Sequence, residues 1–179
     1  IVCCLSYTRP GFSQKATAGS LLKVLQTTKA DTARVKLMWS AASAMNRYNP
    51  DSALVLAQQA LYLAQNTGYA EGESRSLGVL ANTFMKIGNY PKALELNLKK
   101  LQLEEKRQSP RNLASVLMNI GIVYALQEEY RPALSYYGKA DSLISKEKLE
   151  DIRYNINLNI GDTYNRLNVS DSAYLFFNK

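Results

Sequence analysis

Ala53, Ala93, Ala133 and Ala173 recur at every fortieth position without a gap, and no other feature of this chain restricts its fold as much. A fixed period of this length means that one supersecondary unit is built repeatedly and that each copy buries its apolar face on its neighbours. Other columns keep the same register. One reads Ala41, Ala81, Gly121, Gly161; three positions on, it is Ala44, Phe84, Tyr124, Tyr164; one position before, it is Ser40, Leu80, Ile120, Ile160.

Each copy divides into two amphipathic helices. In the third, Leu117, Ile120, Gly121 and Tyr124 share one helical face, and after Glu128-Glu129 a second stripe runs through Tyr130, Ala133, Tyr137 and Ala140. Asn49-Pro50, Ser109-Pro110 and Ser170 read as helix starts, and Gly68 and Gly88 as C-terminal caps. The predicted helices are 31–47, 51–66, 70–86, 90–107, 110–127, 130–146, 151–166 and 170–179, led in by a short one near 20–28. The repeats therefore run 31–66, 70–107, 110–146 and 151–179. Gly121 costs about 1 kcal/mol in a helix interior. The expected return is a close helix crossing at Gly121 and Ala133, with Tyr124 and Tyr137 filling the space beside it. On that reading Gly121→Ala is mild.

The order Leu117, Ile120-Gly121, Tyr124, Tyr130, Ala133, Tyr137, Ala140 closely resembles the tetratricopeptide repeat, although that family usually keeps a somewhat shorter period. The resemblance covers about Asp31 to Lys179. It is weaker in the first copy, and the second departs at Asn97 and Lys100, where its second helix is expected to pack less tightly. It implies an all-α, right-handed superhelical solenoid of antiparallel helix pairs, with the first helix of each pair on the concave side. The face offset from the packing stripe then holds Asn82, Met85 and Lys86, then Met118, Ile122, Ala125 and Leu126, then Leu158, Asp162, Asn165 and Arg166. An apolar strip edged by amides and charges suits a protein or peptide ligand in the groove. Relatives that clamp a carboxylate resemble one another in carrying cations at stations occupied here by Gly78, Ser115 and Asn155, which argues against that specialisation.

Composition excludes more than it selects. Histidine is absent, and with it every Ser-His or Cys-His pairing and the commonest metal ligand. The only cysteines, Cys3 and Cys4, are adjacent, unlike a zinc site or disulfide framework. Acid pairs such as Glu104-Glu105, Glu128-Glu129 and Glu150-Asp151 diverge by about 100° on a helix and read as solvated faces. No catalytic constellation, cofactor or metal site is expected. The net charge of +7 is concentrated before Tyr48, where seven basic residues face one acid; the remainder carries fifteen against fourteen. A nucleic-acid face is therefore not expected.

The start, "IVCCLSYTRPGFSQKATAGS", resembles the rear half of a secretory signal peptide, with cleavage after Ser13 or Ala18; the alternative for 1–18 is a poorly packed leader. A chain without an initiator methionine that stops within an apolar pattern reads as a piece of a longer protein, and its last repeat as open to self-association. Long arrays with such a start resemble the N-terminal sensory regions of bacterial membrane-bound signalling proteins such as histidine kinases. The resemblance then implies the periplasmic side of the envelope, with any membrane span outside this segment. The alternatives are a cytoplasmic peptide-sensing domain of a transcriptional regulator and a scaffold for envelope assembly.

Overall fold

The computed structural model describes residues 10–178. Its elements are α1 (Pro10–Thr27), α2 (Asp31–Met45), α3 (Pro50–Asn66), α4 (Ala70–Lys86), α5 (Tyr90–Arg107), α6 (Pro110–Leu126), α7 (Tyr130–Lys146), α8 (Glu150–Arg166) and α9 (Ser170–Phe177). From α2 onward the boundaries follow the repeat. The leading helix differs: it begins at Pro10, not near position 20, because the small residues read as signal-like are also tolerated in a helix, and Ala18 is fully buried. The apolar stretch up to Tyr7 and both cysteines lie outside the described residues.

The turns keep a tighter period than the helix pairs they join. Gly68, Gly88, Gln108, Glu128, Lys148 and Asn168 recur at every twentieth position, and all have positive φ, between 50° and 80°. In the turn after α6, the Glu129 N–H donates to the Tyr124 carbonyl (2.9 Å) and the Glu128 N–H to that of Ala125 (3.1 Å), which satisfies two carbonyls of the last turn. Only two of the six positions are glycine, so the backbone conformation here is set by the repeat geometry and not by residue choice alone. At the helix starts, the Asn49 and Asn89 side chains accept from the backbone N–H of Ser52 and Lys92. Ser109 occupies a cap position without such a bond, and Ser170 is the first helical residue, with Val169 before it.

The array forms two compact units, divided between Ile87 and Gly88. In unit 1, α1 packs on α2, α2 on α3, and α4 on both α2 and α3. Its small-residue stripe Ala53, Ala57, Ala60 and Ala64 on α3 is wholly buried and lets helices approach closely. In unit 2, each helix from α5 to α9 packs on the next, and α6 also touches α8. Here the core holds larger side chains, among them Tyr137, Ile120, Ile144 and Ile156.

Gly121 makes room for the Tyr137 ring, which packs against it as expected where α6 meets α7, and Ala133 is fully buried in the same cluster. A Cβ at Gly121 would stand 2.6 Å from Tyr137 Cδ1 and closer still to Cε1, and one at Gly161 would stand 2.6 Å from Phe177 Cε1. The same ring-on-glycine contact is thus built twice, one full repeat apart. A stacked aromatic pair accompanies each: Tyr124 on Tyr136 with centroids 5.5 Å apart, and Tyr164 on Phe176 at 5.8 Å. The acid pair at the end of α5 also departs from expectation. Glu104 is fully buried, accepting from Arg107 Nη1 at 2.7 Å and from the Asn112 amide at 3.3 Å, while Glu105 is exposed. It stands where the neighbouring copies place Ala64 and Ile144, on the packing side of the helix.

Candidate functional site

Two consecutive first helices of unit 2, α6 and α8, hold the candidate site. They are tied at their N-terminal ends by Arg111 and Asp151, equivalent positions one repeat apart, whose guanidinium and carboxylate form two hydrogen bonds of 2.6 and 2.9 Å. The bond raises the pKa of Arg111 and lowers that of Asp151, so both remain charged over a wide range. Towards the other ends of the two helices lies a pocket of about 210 Å³ lined by Ile122, Ala125 and Leu126 from α6, Tyr137 from α7, and Asn159, Asp162, Thr163 and Arg166 from α8.

One wall is apolar and the other offers hydrogen bonds. Thr163 donates its hydroxyl to the Asn159 carbonyl at 2.8 Å and lines the pocket together with the Tyr137 ring. Burial pushes the Tyr137 phenol up to about 12. At the rim, Arg166 Nε donates to Asp162 Oδ2 at 2.8 Å. The Asp162 bond is the main reason the Arg166 pKa is raised. Positive and negative charge at the rim therefore compensate each other.

Of the residues expected on a concave face, Ile122, Ala125, Leu126, Asp162 and Arg166 come together in this pocket. Met118 is half-buried against the core cluster of unit 2, and Leu158 and Asn165 are exposed outside the pocket. Asn82, Met85 and Lys86 belong to unit 1, where Asn82 and Met85 are half-buried and Lys86 lines a separate pocket. Ile122 also packs against the core cluster, so it is not the free surface residue that its offset suggested. Sequence reasoning missed Tyr137, Asn159 and Thr163. The columns Thr83/Thr163 and Asn119/Asn159 were a signal for two of them; Tyr137 reads as core, and it is both.

No protein-family model matches the chain, and no curated protein sequence does. Solved structures do. A Pyrococcus horikoshii signal transduction ATPase with numerous domains, bearing a tetratricopeptide repeat sensor, superposes with a TM-score of 0.80 at 16% identity over 92% of this chain and 26% of its own. The fold is that of the tetratricopeptide repeat. BtubC from P. vanneervenii shares this tetratricopeptide-type fold with a TM-score of 0.77 at 16% identity, over 93% of this chain and 71% of its own. A Rap protein complexed with competence and sporulation factor shares it at 0.82 and 14% identity, over 93% and 48%. The chain thus spans about seven-tenths of BtubC, half of the Rap protein and a quarter of the ATPase. Among the described residues, no helix of this tetratricopeptide array is long and apolar enough to cross a membrane.

Proposed function

We propose that the chain is a non-enzymatic protein-interaction module and that the pocket between α6 and α8 receives an uncharged stretch of a partner peptide. The observation that carries this is the division of the pocket into an apolar wall, Ile122, Ala125 and Leu126, and a wall of hydrogen-bonding groups, Asn159 and Thr163. Apolar side chains of a peptide gain from the first, and its backbone amides from the second. Because Asp162 and Arg166 neutralise each other, the rim supplies no net field to select a charged ligand. The wider reading is a sensory or docking segment of a larger signal-transduction protein. It is supported by two neighbours of the same fold, one a signal-transduction sensor and one complexed with a named factor. Placement on the envelope side rests on the apolar start of the sequence.

The test uses Leu126, which is 43% exposed and can be changed without opening the core. Peptides selected from a displayed random library on the wild-type chain should bind Leu126→Glu roughly 2 kcal/mol more weakly, because a charge then sits on the apolar wall. Circular dichroism should show equal helicity. Equal affinity for both proteins, or no enrichment of peptides on the wild type, would remove the pocket from the function.

A further inference from the structure

Unit 1 holds a separate pocket, of about 270 Å³, lined by Asn46, Arg47, Pro50, Lys86 and Ile87. Arg47 follows the C-terminal end of α2 and Lys86 is the last residue of α4. Pro50 opens α3, a helix of 17 residues whose N-terminal end carries positive partial charge. Among the described residues neither cation makes an ion pair. Asp51, the acid nearest in sequence, lines a different pocket with Leu22, Met45 and Val55. Asn46 is 7% exposed, and its buried Oδ1 has no hydrogen-bond partner.

The repeat shows what is missing. Lys86 and Arg166 are equivalent positions, but Arg166 is neutralised by Asp162 one helical turn earlier, whereas Lys86 has Asn82 in that place. The acid has become an amide, and the cation stays uncompensated. Burial and the nearby Arg47 charge both lower the Lys86 pKa, so the two cations stand close enough to disfavour each other. Pro50 and Ile87, the latter 48% exposed, add apolar surface beside them.

We propose that this pocket binds a carboxylate side chain of an acidic peptide, with Arg47 and Lys86 as its counter-charges and Pro50 and Ile87 against the flanking apolar residues. Two neighbouring cations that form no ion pair match an oxyanion. The apolar walls favour one carried on hydrocarbon over a bare ion. The pocket lies within unit 1 and does not depend on the groove of unit 2.

The experiment is an NMR titration of the whole chain with three probes: the blocked tripeptide Leu-Glu-Leu, its Leu-Gln-Leu isostere, and inorganic phosphate. Leu-Glu-Leu should shift the Asn46 and Ile87 signals saturably, and the glutamine peptide should bind about tenfold or more weakly, as should the glutamate peptide to Lys86→Met and to Arg47→Met. Asn82→Asp, which installs the acid present before Arg166, should abolish binding while helicity is unchanged. Equal binding of the two peptides, phosphate binding as tightly as Leu-Glu-Leu, undiminished binding to Asn82→Asp, or no saturable shift would each overturn the proposal.

Discussion

Gly121 and Tyr137 define the residue scale of this protein. Alanine is the better helix former by about 1 kcal/mol, yet its methyl would stand 2.6 Å from Cδ1 of a ring that is 1% exposed and packed in the core cluster of unit 2. Overpacking of about 1–3 kcal/mol exceeds the propensity gain, so Gly121→Ala should lower the thermal midpoint, contrary to what helix propensity alone predicts. An unchanged or raised midpoint would show that the ring moves aside freely. The same tyrosine gives stability a basic limb. Its folded pKa of about 12 lies above the ordinary 10, so the contribution is complete below pH 10. Above that, the unfolded chain loses the proton while the folded one keeps it, and stability falls by about 1.4 kcal/mol per pH unit until the folded group ionises. Urea midpoints between pH 9 and 11 should drop less steeply for Tyr137→Phe than for wild type. Parallel slopes would mean that the phenol is not held in the core.

At the scale of elements, two ion pairs of nearly equal length have unequal weight. Arg107 on Glu104 and Arg111 on Asp151 measure 2.7 and 2.6 Å, but Glu104 is fully buried whereas Arg111 and Asp151 are more than half exposed. Arg111→Ala should cost under about 1 kcal/mol, because an exposed pair is screened by solvent. Arg107→Ala leaves a buried carboxylate with less compensation and should cost about 2 kcal/mol or more. Chemical denaturation of the two variants in parallel tests the order, and a larger loss for Arg111→Ala would contradict it. The role left to the Arg111–Asp151 contact is register. It joins equivalent positions on α6 and α8 and so fixes which residues of the two helices face each other across the pocket.

On the scale of the molecule, each compact unit has its own buried core. In an array stabilised by nearest-neighbour contacts, a unit with a closed set of such contacts holds its fold separately. Residues 88–179 expressed alone should therefore remain helical, with amides of Leu117 to Tyr124 the most protected from hydrogen exchange. A fragment lacking helical circular dichroism would show that the division at Ile87 and Gly88 is not one of stability.

The repeat register, the pairing of helices and nearly every boundary after Asp31 were determined by the sequence itself, because apolar periodicity and turn chemistry act over short stretches and repeat their signal in four copies. Five residues of the candidate pocket were legible for the same reason: helical spacing fixes which side chains share a face. Tertiary structure alone decided how closely the Tyr137 ring approaches Gly121, that Glu104 is buried although its neighbour Glu105 is exposed, and that Tyr137, Asn159 and Thr163 complete the pocket. It also decided that Lys86 and Arg47 meet without an acid between them. These outcomes depend on contacts between separate helices, where tenths of an ångström and the burial of a single charge set the energy, and no spacing along one chain encodes such a distance.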